Sequence, residues 1–255
     1  MPHWASIAWN IGLACLAFVV GAAKTLDDQL TAETWKWVHS PKLQACLAIA
    51  LAGIVLLDSI RRAIGHLGAW QEVKMRSEVR KQLSSAIATV CAVAGVKPGD
   101  VGSGLFLVHR SRRKGLRLKR VERVRLLDTM TESGIVFREN VGTVGKCWAT
   151  ERPSHHNWTA VNRRHAEKPP DEAAWNSVKS ETKHGFTYSE WLKMLGRYSE
   201  VIAVPVTVNA KLIGCLAVDL RWHAGEASAS VLNTMAVRES LGGFSRALEP
   251  VLAGK

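Results

Sequence analysis

An α+β fold behind a pair of apolar N-terminal helices is what this sequence predicts, and three observations predict it. Apolar residues crowd into positions 5 to 57, whereas the remainder has the mixed composition of a soluble domain. That remainder reads as helix, two strands, a mixed middle, two strands and helix, an order that builds a mainly antiparallel sheet flanked by helices. Its last two strands flank a short turn and pair as a hairpin.

The chain has 255 residues, enough for one globular domain of roughly 150 residues and a further segment. Within residues 1–57, Lys24, Lys36 and Lys42 balance Asp27, Asp28 and Glu33, so the formal excess of +12 lies wholly beyond residue 57. A basic remainder suits an anionic lipid surface or an anionic ligand.

The first apolar run, from Ile7 to Ala23, holds Asn10 as its strongly polar member; the second runs from Leu43 to Leu57. A bilayer core takes about 20 apolar residues, so spans are expected over about 5–23 and 42–58, with Lys42 snorkelling at one end. Residues 1–60 thus read as a two-helix transmembrane hairpin. A cleaved signal peptide fits poorly, because no Lys or Arg precedes the apolar core and a second run follows. A buried helix pair fits poorly too, since neither run has a polar stripe.

Orientation follows from Arg61, Arg62, Lys74, Arg76, Arg80 and Lys81, which hold the C-terminal side in the cytoplasm. Two spans return the N-terminus there as well, so the expectation is a multi-pass protein of the cell membrane. Trp35 and Trp37 suit the outer interface, and the pairs Ala8/Gly12 and Ala17/Gly21 permit close helix contact.

Residues 61–95 form a stalk. Met75, Val79, Leu83, Ile87 and Val90 recur at helical spacing, and Gly65 and Gly68 loosen the helix nearer the membrane. Ile60, Ile64 and Leu67 start a heptad-like stripe that Gln71 and Lys74 break, which rules against a long coiled coil. Short pairing of two stalks, with the terminal helices, makes a homodimer the expected assembly; packing of the stalk on its own domain is the alternative.

The soluble domain occupies residues 96–250. After the turn cluster 96–100, strands are expected over 104–108 and 116–127, the second alternating through Leu116, Leu118, Val121 and Val124. The turn at 110–115 is strongly basic. The closing hairpin pairs 198–206 with 212–220 across Asn209, Ala210 and Lys211. Pro205 belongs at an edge or a bulge, and a helix over 226–248 carries Val231, Leu232, Met235, Leu241, Phe244 and Leu248.

The segment from Gly142 to Pro153, GTVGKCWATERP, resembles the signature of GAF domains, and the hairpin VIAVPVTVNAKLIGCLAVDL resembles their closing strands. The resemblance covers about residues 75–249. It implies a sheet with terminal helices on one face and a ligand pocket on the other, closed by the polar, loop-rich segment 150–197. It also implies a sensor of a small molecule, with nucleotides among the candidates; no catalytic machinery is visible in the residues, so an enzyme is not expected. The Asn-Lys-X-Phe-Asp-Glu pattern of cyclic-nucleotide GAF domains is missing, which leaves ligand and cofactor open. Pocket candidates are Cys147, Trp148, Trp158, Trp175, Phe186, Tyr188 and Trp191, of which at least half are expected to be core.

Other constellations carry less. The five cysteines stand singly without a CxxC pair, which argues against zinc or thioredoxin-type chemistry. Reductases of free methionine sulfoxide on this fold cluster cysteines in one lid. Here Cys91, Cys147 and Cys215 fall on a helix, a turn and a strand. His155, His156, His165 and His184 lie in the middle segment; the adjacent pair His155 and His156 is expected to face solvent, and no metal site is expected. Asp171 and Glu172 open a helix that continues through Asn176. Gly142 and Gly145 lack the third glycine of a dinucleotide fingerprint and are read as a turn into a helix. Residues 110–125 carry nine bases against Glu122, without interleaved aromatics. They suit anionic lipid better than nucleic acid, and no nucleic-acid partner is expected. Two further readings stay open: a ligand-triggered effector that perturbs the membrane, for which Asn10 is the polar hint, and a GAF-fold redox enzyme.

Overall fold

The strands of this domain have apolar residues on both faces, and the sheet divides the core in two. A computed structural model describes residues 41–111, 115–126, 134–224 and 229–253, and of 41–52 and 63–69 it describes the backbone. The expected span at 5–23 lies outside them, as do Arg112, Arg113 and Lys114 of the basic turn. Contacts divide the chain into Met1–Gly68 and Ala69–Lys255.

In the first unit the described chain is the beginning of helix α1 (Pro41–Ala94), which contains the expected span at 42–58 and continues without a break through Gly65 and Gly68. No described helix is long and apolar enough to cross a membrane. Val55, Leu56 and Leu57 are between 52% and 63% exposed. Consecutive helical residues point about 100° apart, so this apolar surface wraps the helix instead of forming a stripe.

In the second unit α1 becomes amphipathic. Val79, Leu83, Ile87 and Val90 are at most 2% exposed and share one core with Leu105, Leu216, Leu241 and Leu248. The stalk stripe is thus spent on its own domain. Burial of each such side chain stabilises by roughly 1.5–3 kcal/mol.

Beyond a 3-10 turn (Pro98–Asp100) come β1 (Val101–Ser111) and β2 (Gly115–Arg125). The chain then passes through α2 (Gly142–Thr150), β3 (Ser154–Asn157), α3 (Thr159–His165), α4 (Glu172–Asn176), α5 (Ser180–Lys183) and α6 (Tyr188–Met194). It closes with β4 (Tyr198–Val208), β5 (Lys211–Arg221) and α7 (Met235–Leu252). The described strands form one antiparallel sheet in the order β2-β1-β5-β4-β3. One face of β1, β5 and β4 sends Leu105, Leu216, Val218, Ile202 and Val204 toward α1 and α7. The other sends Phe106, Cys215, Ala217 and Ala203 toward α2.

Four differences from expectation have physical causes. β1 starts at Val101 instead of 104, because Gly102 and Ser103 pair with Asp219 and Val218 despite their low strand propensity. The strand β3 has no apolar alternation to betray it; pairing with β4 makes it. The apolar pattern in β2 steps from Leu118 to Val121, three positions, which a regular strand cannot place on one face. They face opposite ways here, Leu118 toward α2 and Val121 toward the α1 side, and a register shift between Leu105 and Phe106, with Val121 as the extra residue, lets Val124, three positions further on, share the α1 side with Val121.

The last helix, finally, starts at Met235 and not at 226. Thr234 caps it by accepting a bond from the Val237 amide, 3.3 Å, and Met235 is 75% exposed. Leu232 is fully buried ahead of the helix, in a loop held by Glu200. Pro205 does lie beyond the end of β3, with a register shift following at Val206/Thr207.

Candidate functional site

Gly142 enters α2 at φ +64°, a conformation that costs a glycine little, and Gly145 packs so closely that a Cβ there would meet the Arg138 carbonyl at 2.1 Å. The glycine pair thus sets α2 against the chain before it. It brings the N-terminal turn of α2 over the sheet face opposite α1.

Beneath that turn lies a cavity of about 60 Å³. Its floor is Gly104, Phe106, Ala217 and Val201; Thr143 and Val144 of α2 and Phe137 form one wall, and Trp158, Phe186 and Met194 another. Rings follow one another around it: Phe106 to Phe137 at 5.4 Å, Phe137 to Phe186 at 6.4 Å, and Phe186 to Trp158 at 6.2 Å between centroids. Into this apolar bowl β2 delivers Arg120 and Arg123. The β-bulge makes this possible, since residues three apart on a regular strand face opposite ways. Arg123 Nη2 is buried without a hydrogen-bond partner among the described residues. Asp219, the acidic side chain among the lining groups, forms an ion pair with the fully buried Arg125.

Of the residues expected at a ligand, Trp158 and Phe186 line the cavity. Trp191 is fully buried beside them, its indole donating to the Thr182 carbonyl at 3.2 Å. Trp175 packs against Tyr188 at 5.7 Å with the Lys183 ammonium 4.4 Å from its ring, and the Tyr188 hydroxyl donates to the Pro170 carbonyl at 2.8 Å. Trp148 is half-buried against the α2 cluster. Arg120, Arg123, Phe106, Phe137 and Thr143 were missed. The basic run on β2 was the available signal, but its facing depends on the bulge.

Cys147 is fully buried and packs in one cluster with Cys215, which is likewise buried and whose thiol donates to the Val144 carbonyl at 3.7 Å. These two cysteines, far apart in sequence, therefore meet between α2 and β5. The contact with Cys147, reinforced by burial, pushes the Cys215 thiol well above its ordinary pKa. Buried thiols of this kind are poor nucleophiles.

His156, expected in solvent, is packed inward against His184. The rings of His156 and His184 lie 3.7 Å apart between centroids, with Trp158 edge-on to His156. Burial brings His156 down to about 3, helped by His184, His155 and Lys146, and brings His184 down to about 4, helped by Lys146. Both are neutral at physiological pH. His155 Nε2 lies 3.2 Å from Glu200 Oε2. Among the described residues no group of three or more His, Cys, Asp or Glu is placed to hold a metal ion. Asp171 caps α4, accepting from the Ala174 amide at 2.7 Å.

An antiparallel sheet with its terminal helices on one face, and on the other a cavity roofed by a long insert between β2 and β4, defines a GAF-like α+β domain. No protein-family model matches the chain, and none of the curated proteins matches it. Among solved structures, the type II free methionine-R-sulfoxide reductase of Thermoplasma acidophilum is 11% identical, with a TM-score of 0.42 over 72% of this chain and 96% of its own. The GAF domain of an Acinetobacter phosphoenolpyruvate-protein phosphotransferase is 15% identical, TM-score 0.38, over 74% and 93%. The GAF domain of a two-component sensor histidine kinase from Bacillus halodurans is 12% identical, TM-score 0.38, over 68% and 94%. Likeness this distant says nothing of ligand or activity, and the GAF-like assignment rests on the element order and the two-faced sheet.

Proposed function

We propose that this protein is a membrane-tethered sensor whose cytoplasmic GAF-like domain binds a small molecule in the cavity under α2. The observation that carries the reading is the two-sidedness of β1 and β5. Phe106 and Ala217 touch the cavity, while their neighbours Leu105, Leu216 and Val218 pack in the core that contains Val79, Leu83 and Ile87 of α1. A ligand that shifts these strands biases the packing of α1, which runs back to residue 41. Tethering is supported by the apolar runs at 5–23 and 42–58, by the exposed Val55, Leu56 and Leu57, and by the bases that follow. Homodimerisation through α1 and α7 is part of the proposal, since Trp70 and Val73 on α1 are 64% and 67% exposed.

Two measurements test it. The full chain is expected in the membrane pellet after an alkaline wash; recovery in the supernatant would end the tethering claim. Small molecules co-purifying with detergent-extracted protein are identified by mass spectrometry and tested for altered cross-linking between α1 helices. No change in cross-linking with any bound molecule would end the sensor claim. Dye release from vesicles on ligand addition would instead favour the membrane-perturbing effector.

A further inference from the structure

We infer that the ligand of this cavity is a small carboxylate with a short apolar tail, held through Arg123 with Arg120 beside it. The inference rests on the ligand-binding reading above and supplies its chemistry. Arg123 lines the cavity and has a buried Nη2 without an acceptor among the described residues. A guanidinium hydrogen withdrawn from water and left unmatched is costly, and an oxyanion removes that cost. The acidic group in the wall does not serve, because Asp219 is engaged by Arg125.

Charge from the backbone points the same way. Thr143 and Val144, the second and third residues of α2, line the cavity, so the positive end of the helix faces it. Val141 at the N-cap supplies no side-chain acceptor. The Gly142 amide is taken by the His184 carbonyl at 2.8 Å, which leaves the amides that follow as the donors nearest the ligand.

Size and polarity narrow the class. About 60 Å³ is under half of the roughly 150 Å³ that accommodates a benzene ring, so the ligand has few heavy atoms. Phe106, Phe137, Trp158 and Phe186 make most of the bowl apolar, which fits an alkyl tail. A phosphate dianion would bring a second charge into this apolar enclosure, whereas a planar monoanionic carboxylate matches the guanidinium fork.

The test titrates the full detergent-solubilised chain with sodium propionate, propionamide, inorganic phosphate and sodium chloride at matched ionic strength. Tryptophan fluorescence, to which Trp158 contributes from the cavity wall, and thermal melting are the readouts. Propionate is expected to saturate in the millimolar range and raise Tm, while isosteric propionamide and chloride do neither. Arg123→Gln should weaken propionate at least tenfold and Arg123→Lys less. Equal binding of propionamide, tighter binding of phosphate than of propionate, or unchanged propionate affinity in a folded Arg123→Gln protein would each overturn the inference. Should Arg123→Gln not fold, the propionate and propionamide arms on the unaltered protein decide. Propionate binding without any change in α1 cross-linking would sink the sensor reading alone. A neutral molecule that binds the cavity and changes α1 cross-linking would sink the carboxylate alone.

Discussion

The carboxylate of Glu200 accepts the backbone amide of Leu232 at 2.8 Å, and with it that of Val231 at 2.9 Å, so a fully buried acid on β4 closes the loop leading into α7. Burial alone would raise its pKa. Bonds from His155, Leu232 and Val231 prevail and hold it below its ordinary value of 4.5. A depressed carboxylate stabilises the fold above its unfolded pKa, and that contribution is lost as pH falls through the folded value. Glu200→Gln should therefore cost about 2–4 kcal/mol in urea unfolding at pH 7. The gap between variant and parent should shrink below pH 4.5. A gap that stayed constant to pH 3 would show that the charge is not what matters.

His156 and His184 act in a different window. Both are pushed below their ordinary 6.5, to about 3 and about 4, by burial. The unfolded chain thus binds protons that the folded one refuses, and stability falls as pH drops from about 6.5 toward 4. From pH 7 to pH 5 the pair should cost on the order of 2–3 kcal/mol, discounted for partial solvent access. Replacing His156 by Gln should roughly halve that slope in the same titration. An unchanged slope would place the protons elsewhere.

The Cys147–Cys215 contact bears on the redox-enzyme reading. With both thiols fully buried and that of Cys215 raised by the contact, alkylation of the native protein at pH 8 should leave both unlabelled, as peptide mapping would show. In denaturant both should label fully. Rapid labelling of either thiol in the native protein would revive a catalytic role.

Gly145→Ala puts a Cβ 2.1 Å from the Arg138 carbonyl, a backbone atom that cannot rotate away. The expected loss is at least about 2 kcal/mol, or roughly 4–8 °C in Tm. Gly243→Ala on α7, with nothing within 4 Å of the new Cβ, is the control and should be neutral or slightly stabilising.

Ala210→Gly should stabilise. Asn209 and Ala210 form the β4–β5 turn with φ of 50° and 59°, the left-handed pair that Asn-Gly adopts with least strain. Alanine there costs roughly 1 kcal/mol, so thermal melting should rise by a few degrees. A fall in Tm would mean that the Ala210 methyl packs usefully.

Much of the fold was legible because its signals are local. The hairpin at 198–220 declared itself by apolar runs around an Asn-containing turn, and the stalk stripe by its 3.6-residue spacing. Of the aromatics in the middle segment, Trp158, Phe186 and Trp191 are buried, and the first two of these line the cavity. The strand β3 was not legible, since SHHN is extended only by pairing with β4. Nor was the start of α7, because an apolar Val231-Leu232 pair reads the same in a helix as in a loop anchored by a distant acid.

By itself the sequence determined the α+β class, the two strand pairs with a helix at either end, and the basic character of β2, all of which follow from composition and from periodicity within about a dozen neighbouring residues. Tertiary structure alone decided which of those bases face a cavity. The extra residue Val121 turns Arg120 and Arg123 to the same side, and its position is set by pairing with β1. The meeting of Cys147 with Cys215, and of His156 with His184, was likewise decided by contacts between segments distant in the chain. No local pattern encodes such contacts, because the energy that selects them exists only once the sheet has formed.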